Sequence, residues 1–158
     1  MVEKENFRHI VRIAGKDLNG NLPINRALTK IKGIGIRMAK NIAIIFEKET
    51  QVRFDSKMGE MPEEFDKKLE EIVLSPGKHG VPPYQLNKQK EFSTGEDKHL
   101  VMNDLDFNKR NELQRLNEIK SYRGLRLSWG LTVRGQRTKS THRGKGGTVG
   151  VLKKDNKK

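Results

Sequence analysis

The sequence predicts a mainly α protein: a small helical body with a short β-hairpin, followed by an extended basic C-terminal tail. Three observations lead there. Apolar residues recur at helical spacing in four stretches set apart by glycine- and proline-containing breaks. Hydrophobic residues are 33% of the 158 and charged residues 34%, so the core is small. Positive charge gathers at one end: residues 121–158 hold eleven Lys and Arg against Asp155 alone, a net of +10, leaving +3 of the total +13 for the first 120 residues. The expected division is a body over 1–120 and a basic extension over 121–158.

Taken in order, Phe7-Arg8-His9-Ile10-Val11-Arg12-Ile13 alternates imperfectly between apolar and polar, and Asn19-Gly20 is a strong turn signal. A short extended segment and a turn are expected there. Pro23 opens a helix in which Ile24, Ala27, Leu28 and Ile31 share one face. The run Lys32-Gly33-Ile34-Gly35-Ile36 interrupts it, and a second helix follows through Met38, Ala39, Ile42, Ala43, Ile45 and Phe46 to near Thr50. Together they make a helix-hairpin-helix pattern. After a polar link over 55–61, Pro62 starts a helix with Phe65, Leu69, Ile72 and Val73 on its apolar side. The prolines and glycines of 75–83 break it. Lys90-Glu91-Phe92 and His99-Leu100-Val101-Met102, flanking Ser93-Thr94-Gly95-Glu96-Asp97, predict a small β-hairpin. Asp106 is the expected cap of a final helix, with Leu113, Leu116, Ile119 and Tyr122 every three residues, leading directly into the basic stretch.

Several chemistries are disfavoured. With no cysteine, disulfides, thiolate catalysis and Cys-ligated metal sites are excluded, which fits an intracellular protein. His9, His79, His99 and His142 are scattered, without metal-ligand spacing, so neither a metal nor a cofactor is expected. The carboxylates Glu63, Glu64, Asp66, Glu70 and Glu71 alternate with Lys67 and Lys68 along a helix and read as a solvated face. Gly33-x-Gly35 lacks the third glycine and the preceding strand of a dinucleotide fingerprint. The stretch from Gly135 to Ser140 lacks the glycine before the lysine that a phosphate-binding loop of nucleotide hydrolases carries. No run approaches the roughly 20 apolar residues of a membrane helix, and the start MVEKENFRH lacks the apolar stretch of a signal peptide.

What remains is binding to a polyanion. A sequence pI near 10.0 makes nucleic acid the first partner, with an anionic membrane surface second. Arginine offers a planar fork of donors to phosphate, and hydroxyls and glycine amides close on the same oxygens. Leu125, Leu127, Trp129, Leu131 and Val133 lie among the charges, where a purely solvated tail has no use for them. The glycine corner is a second candidate: Gly33 and Gly35 permit a tight turn, the next helix presents free N–H groups, and Arg37 and Lys40 flank an anion bound there.

Tyr122-Arg123-Gly124-Leu125-Arg126, then Gly130-Leu131-x-Val133-Arg134-Gly135-Gln136-Arg137-Thr138-Lys139-Ser140, resembles the signature of the universal small-subunit ribosomal protein family numbered thirteen, eighteen in eukaryotes. Arg12-Ile13-Ala14-Gly15, Ala27-Leu28-Thr29 and Lys32-Gly33-Ile34-Gly35-x-x-x-Ala39 resemble the amino-terminal half of that family. Val81-Pro82-Pro83-Tyr84 through Leu86-Asn87-x-Gln89-Lys90 is similar to its longer archaeal and eukaryotic form. The resemblance implies a body of helix-two-turns-helix type in the head of the small subunit, cytoplasmic within the ribosome. It also implies contact with small-subunit ribosomal RNA, with the neighbouring small-subunit protein numbered nineteen, with the large subunit at a bridge, and with peptidyl-site transfer RNA. Carried over by position, the RNA-binding residues are Arg123, Arg126, Arg134, Gln136, Arg137, Thr138, Lys139 and Ser140, with Arg143 and Lys145 beyond them and Gly33 and Gly35 shaping the corner. The tail is expected to be disordered when free and ordered on RNA. The rival readings are a helix-hairpin-helix DNA-binding protein and a nucleic-acid enzyme using carboxylates as metal ligands.

Overall fold

The computed structural model describes residues 7–137. In chain order it contains β1 (Ile10–Ile13), β2 (Lys16–Asn19), α1 (Ile24–Ala27), α2 (Ile36–Thr50), α3 (Glu64–Leu74), α4 (Met102–Glu118) and α5 (Tyr122–Ser128), with 3-10 turns between several of them. The expected mainly helical fold with a two-stranded hairpin is present. Internal contacts divide the chain into two units, Met1–Asn111 and Glu112–Lys158.

The first unit holds the hydrophobic core. The helical faces read from sequence point inward: Ile24, Ala27, Leu28 and Ile31, then Met38, Ala39, Ile42, Ala43 and Phe46, then Leu69, Ile72 and Val73 are all buried. Helices α1 and α2 pack on each other, and α3 packs on α2 and β1. Phe65 meets Phe46 edge-on, with ring centroids 6.3 Å apart. Arg8 joins the strand entry to α3, its guanidinium donating to both Asp66 oxygens at 2.5 and 2.9 Å and to the Met61 carbonyl. That fork holds the Arg8 pKa above its ordinary value.

The hairpin lies elsewhere than expected. It is formed by β1 and β2 in register Ile10↔Asn19 to Ile13↔Lys16, so its loop is Ala14-Gly15, two residues long. Both have positive φ, 49° and 72°, as a two-residue turn matching strand twist requires. Val11, Ile13 and Leu18 supply its buried face. Asn19-Gly20, the stronger turn signal in sequence, ends β2: Asn19 Oδ1 accepts from the Asn21 N–H.

Residues 90–102 do not form a hairpin. A single bridge, Lys88↔Lys98, closes a loop whose tip is satisfied by side chains: Asp97 accepts from the Lys90 N–H, and Lys98 pairs with Glu91 and Glu96. The tip has no alternating apolar face to bury, so nothing extends the ladder. The final helix begins at Met102 rather than at Asp106, which lies inside it and pairs with Lys32. It stops at Glu118, before a break at Lys120 (φ 52°), and the basic stretch then opens as a separate helix, α5.

The loop before α4 clasps the glycine corner. Met102 N–H donates to the Lys32 carbonyl at 2.8 Å. Asn87 fixes the clasp by holding the Leu100 backbone with both ends of its amide, at 2.6 and 2.8 Å. His99, 8% exposed, is buried beneath, and this burial pushes its pKa below the ordinary 6.5, opposed in part by the Gly33 backbone. On acidification the unfolded chain takes up this proton before the folded one, so stability is full above about pH 6.5 and falls below it. The urea midpoint is expected to drop from about pH 7.5 to about pH 5.5, and His99→Gln to show a smaller drop. An equal drop in the variant assigns the loss to other groups.

Candidate nucleic-acid interface

In the second unit, α5 is built by local bonds. Ser121 is its N-cap: the hydroxyl accepts from the Gly124 N–H at 3.1 Å and donates to the Leu116 carbonyl at 3.0 Å. Gly124 is buried against the end of α4, where a Cβ would come within 2.3 Å of the Leu116 oxygen. At the other end, Gly130 (φ 67°) follows the last helical residues. Its N–H bonds to the Leu127 carbonyl, and the Leu131 N–H reaches back to Arg126, the paired bonds of a Schellman cap. Arg126 then folds its guanidinium over this cap, with Nε and one terminal nitrogen on the Thr132 carbonyl at 2.9 and 2.7 Å.

This arrangement separates the predicted arginines by role. Arg126 braces the turn after α5. Arg123, Arg134, Gln136 and Arg137 are exposed, and Gln136 Oε1 accepts from the Arg134 N–H at 3.1 Å across Gly135. Thr138, Lys139, Ser140, Arg143 and Lys145 lie outside the described residues. From Ile119 to Arg137 the sequence has no Asp or Glu, so no carboxylate within the segment competes for its cations. The opening of the extension is helical and capped, which corrects the expectation of an unstructured arm from residue 121 on.

The corner in the first unit is different. Gly33 (φ 101°) is covered, its backbone facing Leu100 and Val101, while a Cβ on Gly35 would meet nothing within 4 Å. Gly33 therefore serves the clasp, and Gly35, the N-cap of α2, stays open. Lys40 lines a cleft of about 530 Å³ with Arg26, Thr29, Lys30 and Ile36. Arg37 is exposed but does not line it. Sequence reasoning missed Arg26, on α1, and Lys30, in the 3-10 turn that follows it; their signal was i, i+4 spacing off the apolar face of Ile24 and Leu28. Among the described residues no group of His, Asp or Glu is arranged to hold a metal ion, and no helix is long and apolar enough to cross a membrane.

A small helical core in one unit and, in the other, an exposed arginine segment free of carboxylates are the features of a basic protein of the nucleic-acid-binding class. The family model for ribosomal protein S13/S18 matches residues 12–144. The chain is 42% identical to small ribosomal subunit protein uS13 of Methanothermobacter thermautotrophicus over 151 residues, covering 96% of this chain and 98% of the relative. It is 45% identical to the protein of the same name from Methanopyrus kandleri, over 95% and 97% of the two chains. With the Methanosphaera stadtmanae protein of that name the identity is 44%, over 96% and 95%. The chain belongs to the ribosomal protein S13/S18 family.

Proposed function

We propose that this chain, a structural constituent of the small ribosomal subunit, holds ribosomal RNA through the segment that begins at α5. Arg123, Arg134, Gln136 and Arg137 take phosphate and ribose oxygens, and Thr138, Lys139, Ser140, Arg143 and Lys145 continue the contact. The observation supporting this most is the exposure of these arginines in a stretch free of carboxylates. The finer placement belongs to the same proposal: the subunit head, beside the neighbouring protein numbered nineteen, at a bridge to the large subunit and close to peptidyl-site transfer RNA. The extension covers 121–158, and the open corner at Gly35, Arg37 and Lys40 adds a second, weaker RNA contact. The chain acts there without catalysis. The helix-hairpin-helix DNA-binding alternative loses support from Gly33, whose backbone is packed against the chain itself.

Crosslinking the full chain within small subunits tests this reading. Crosslinks to small-subunit ribosomal RNA are expected to concentrate in peptides covering residues 122–145. Crosslinks confined to residues 7–111 would overturn it.

A further inference from the structure

The arginines leave one part of α5 unused. Tyr122 and Trp129 are 74% and 66% exposed, and Leu125 between them is 40% exposed. Seven residues are two helical turns, and the bond from the Trp129 N–H to the Leu125 carbonyl keeps the helical register to the end, so the three share one face. A helix packed against its own core would turn such a face inward. In α5 the buried residue is Gly124 instead.

We propose that this face is a stacking platform for unpaired RNA bases, separate in role from the arginines, which hold phosphate; the inference rests on the RNA reading above. The occupant follows from charge and shape together. Every ionisable side chain from Lys120 to Arg137 other than Tyr122 is cationic, so the partner of the face is anionic. Two exposed rings on one short helix suit flat, polarisable partners. A single-stranded RNA loop carries phosphates and free base faces in one chain, whereas a duplex hides those faces in its own stack.

Trp129 is the only tryptophan in the chain, so its emission reports on this face alone. The full chain would be titrated with a single-stranded oligoribonucleotide, a fully paired RNA duplex of equal phosphate number, and inorganic polyphosphate, with gel retardation followed in parallel. Strong quenching is expected with the single strand and little with the duplex or polyphosphate. Trp129→Leu should weaken single-strand binding about tenfold with an unchanged salt dependence. Arg123→Gln should instead reduce the slope of log K against log salt by about 0.7.

Retardation by the single strand with unquenched Trp129, or equal quenching by polyphosphate, would overturn the stacking role and leave RNA binding standing. Absence of retardation by either RNA would overturn both readings. A Trp129 emission shift in the assembling particle that appears only when a second ribosomal protein is added would assign the face to protein docking, against the proposal.

Discussion

A chain ending at Lys120 is expected to lose about a thousandfold or more in affinity for small-subunit ribosomal RNA at moderate salt, read as loss of co-sedimentation with the subunit. The deletion removes a net charge of +10 and leaves +3. Each phosphate neutralised contributes roughly 0.7 to 0.9 to the slope of log K against log salt, so a segment making several such contacts dominates affinity. The deletion spares the body, because among the described residues every buried hydrophobic one lies between Val11 and Val101. The shortened chain should therefore keep a cooperative helical melt. A finer variant keeps α5 intact: replacing Arg123, Arg134 and Arg137 together with Gln, while Arg126 stays on the Thr132 carbonyl, should lower the salt slope by about 2. Normal retention of the truncated chain would show that the body, not the extension, holds the RNA.

The second large effect is on stability. Gly33→Ala should destabilise the body by about 2–4 kcal/mol, lowering the melting temperature by roughly 10 °C. Two independent penalties act there. The φ of 101° is one that residues with a Cβ rarely adopt, and the new Cβ would lie 2.6 Å from the Leu100 carbonyl oxygen. Gly35→Ala, with φ −90° and open space around it, should cost under about 1 kcal/mol as a weaker N-cap. Equal melting temperatures for the two variants would mean that the clasp yields without cost.

The contrast between the two glycines marks what the sequence could disclose. Both were legible as a corner, because they interrupt two helical patterns. Which of them is covered depends on residues 99–102, some seventy positions downstream, and no local pattern carries that information. The faces of α1, α2 and α3 were readable because periodic burial leaves a periodic trace, from Ile24 through Val73. The hairpin was misplaced because Ala14-Gly15 is a weaker turn signature than Asn19-Gly20, and because the loop tip over 91–97 is stabilised by charge pairs that mimic a turn composition. Helix α5 was missed because its caps come from Ser121, Gly124 and Gly130 acting with the end of α4, within a stretch read mainly for its charge. Arg123, Arg134 and Arg137, read from the sequence as RNA-binding, are exposed. The bracing role of Arg126 depends on the turn that brings the Thr132 carbonyl back to its guanidinium, which no local pattern announces.

The double capping of α5 has a kinetic side. An isolated seven-residue helix does not persist in water, yet this one closes both ends with bonds from its own chain. The first stretch of the basic arm is consequently shaped before any partner arrives, so the RNA capture proposed above would be limited by diffusional encounter rather than by a folding step at the surface.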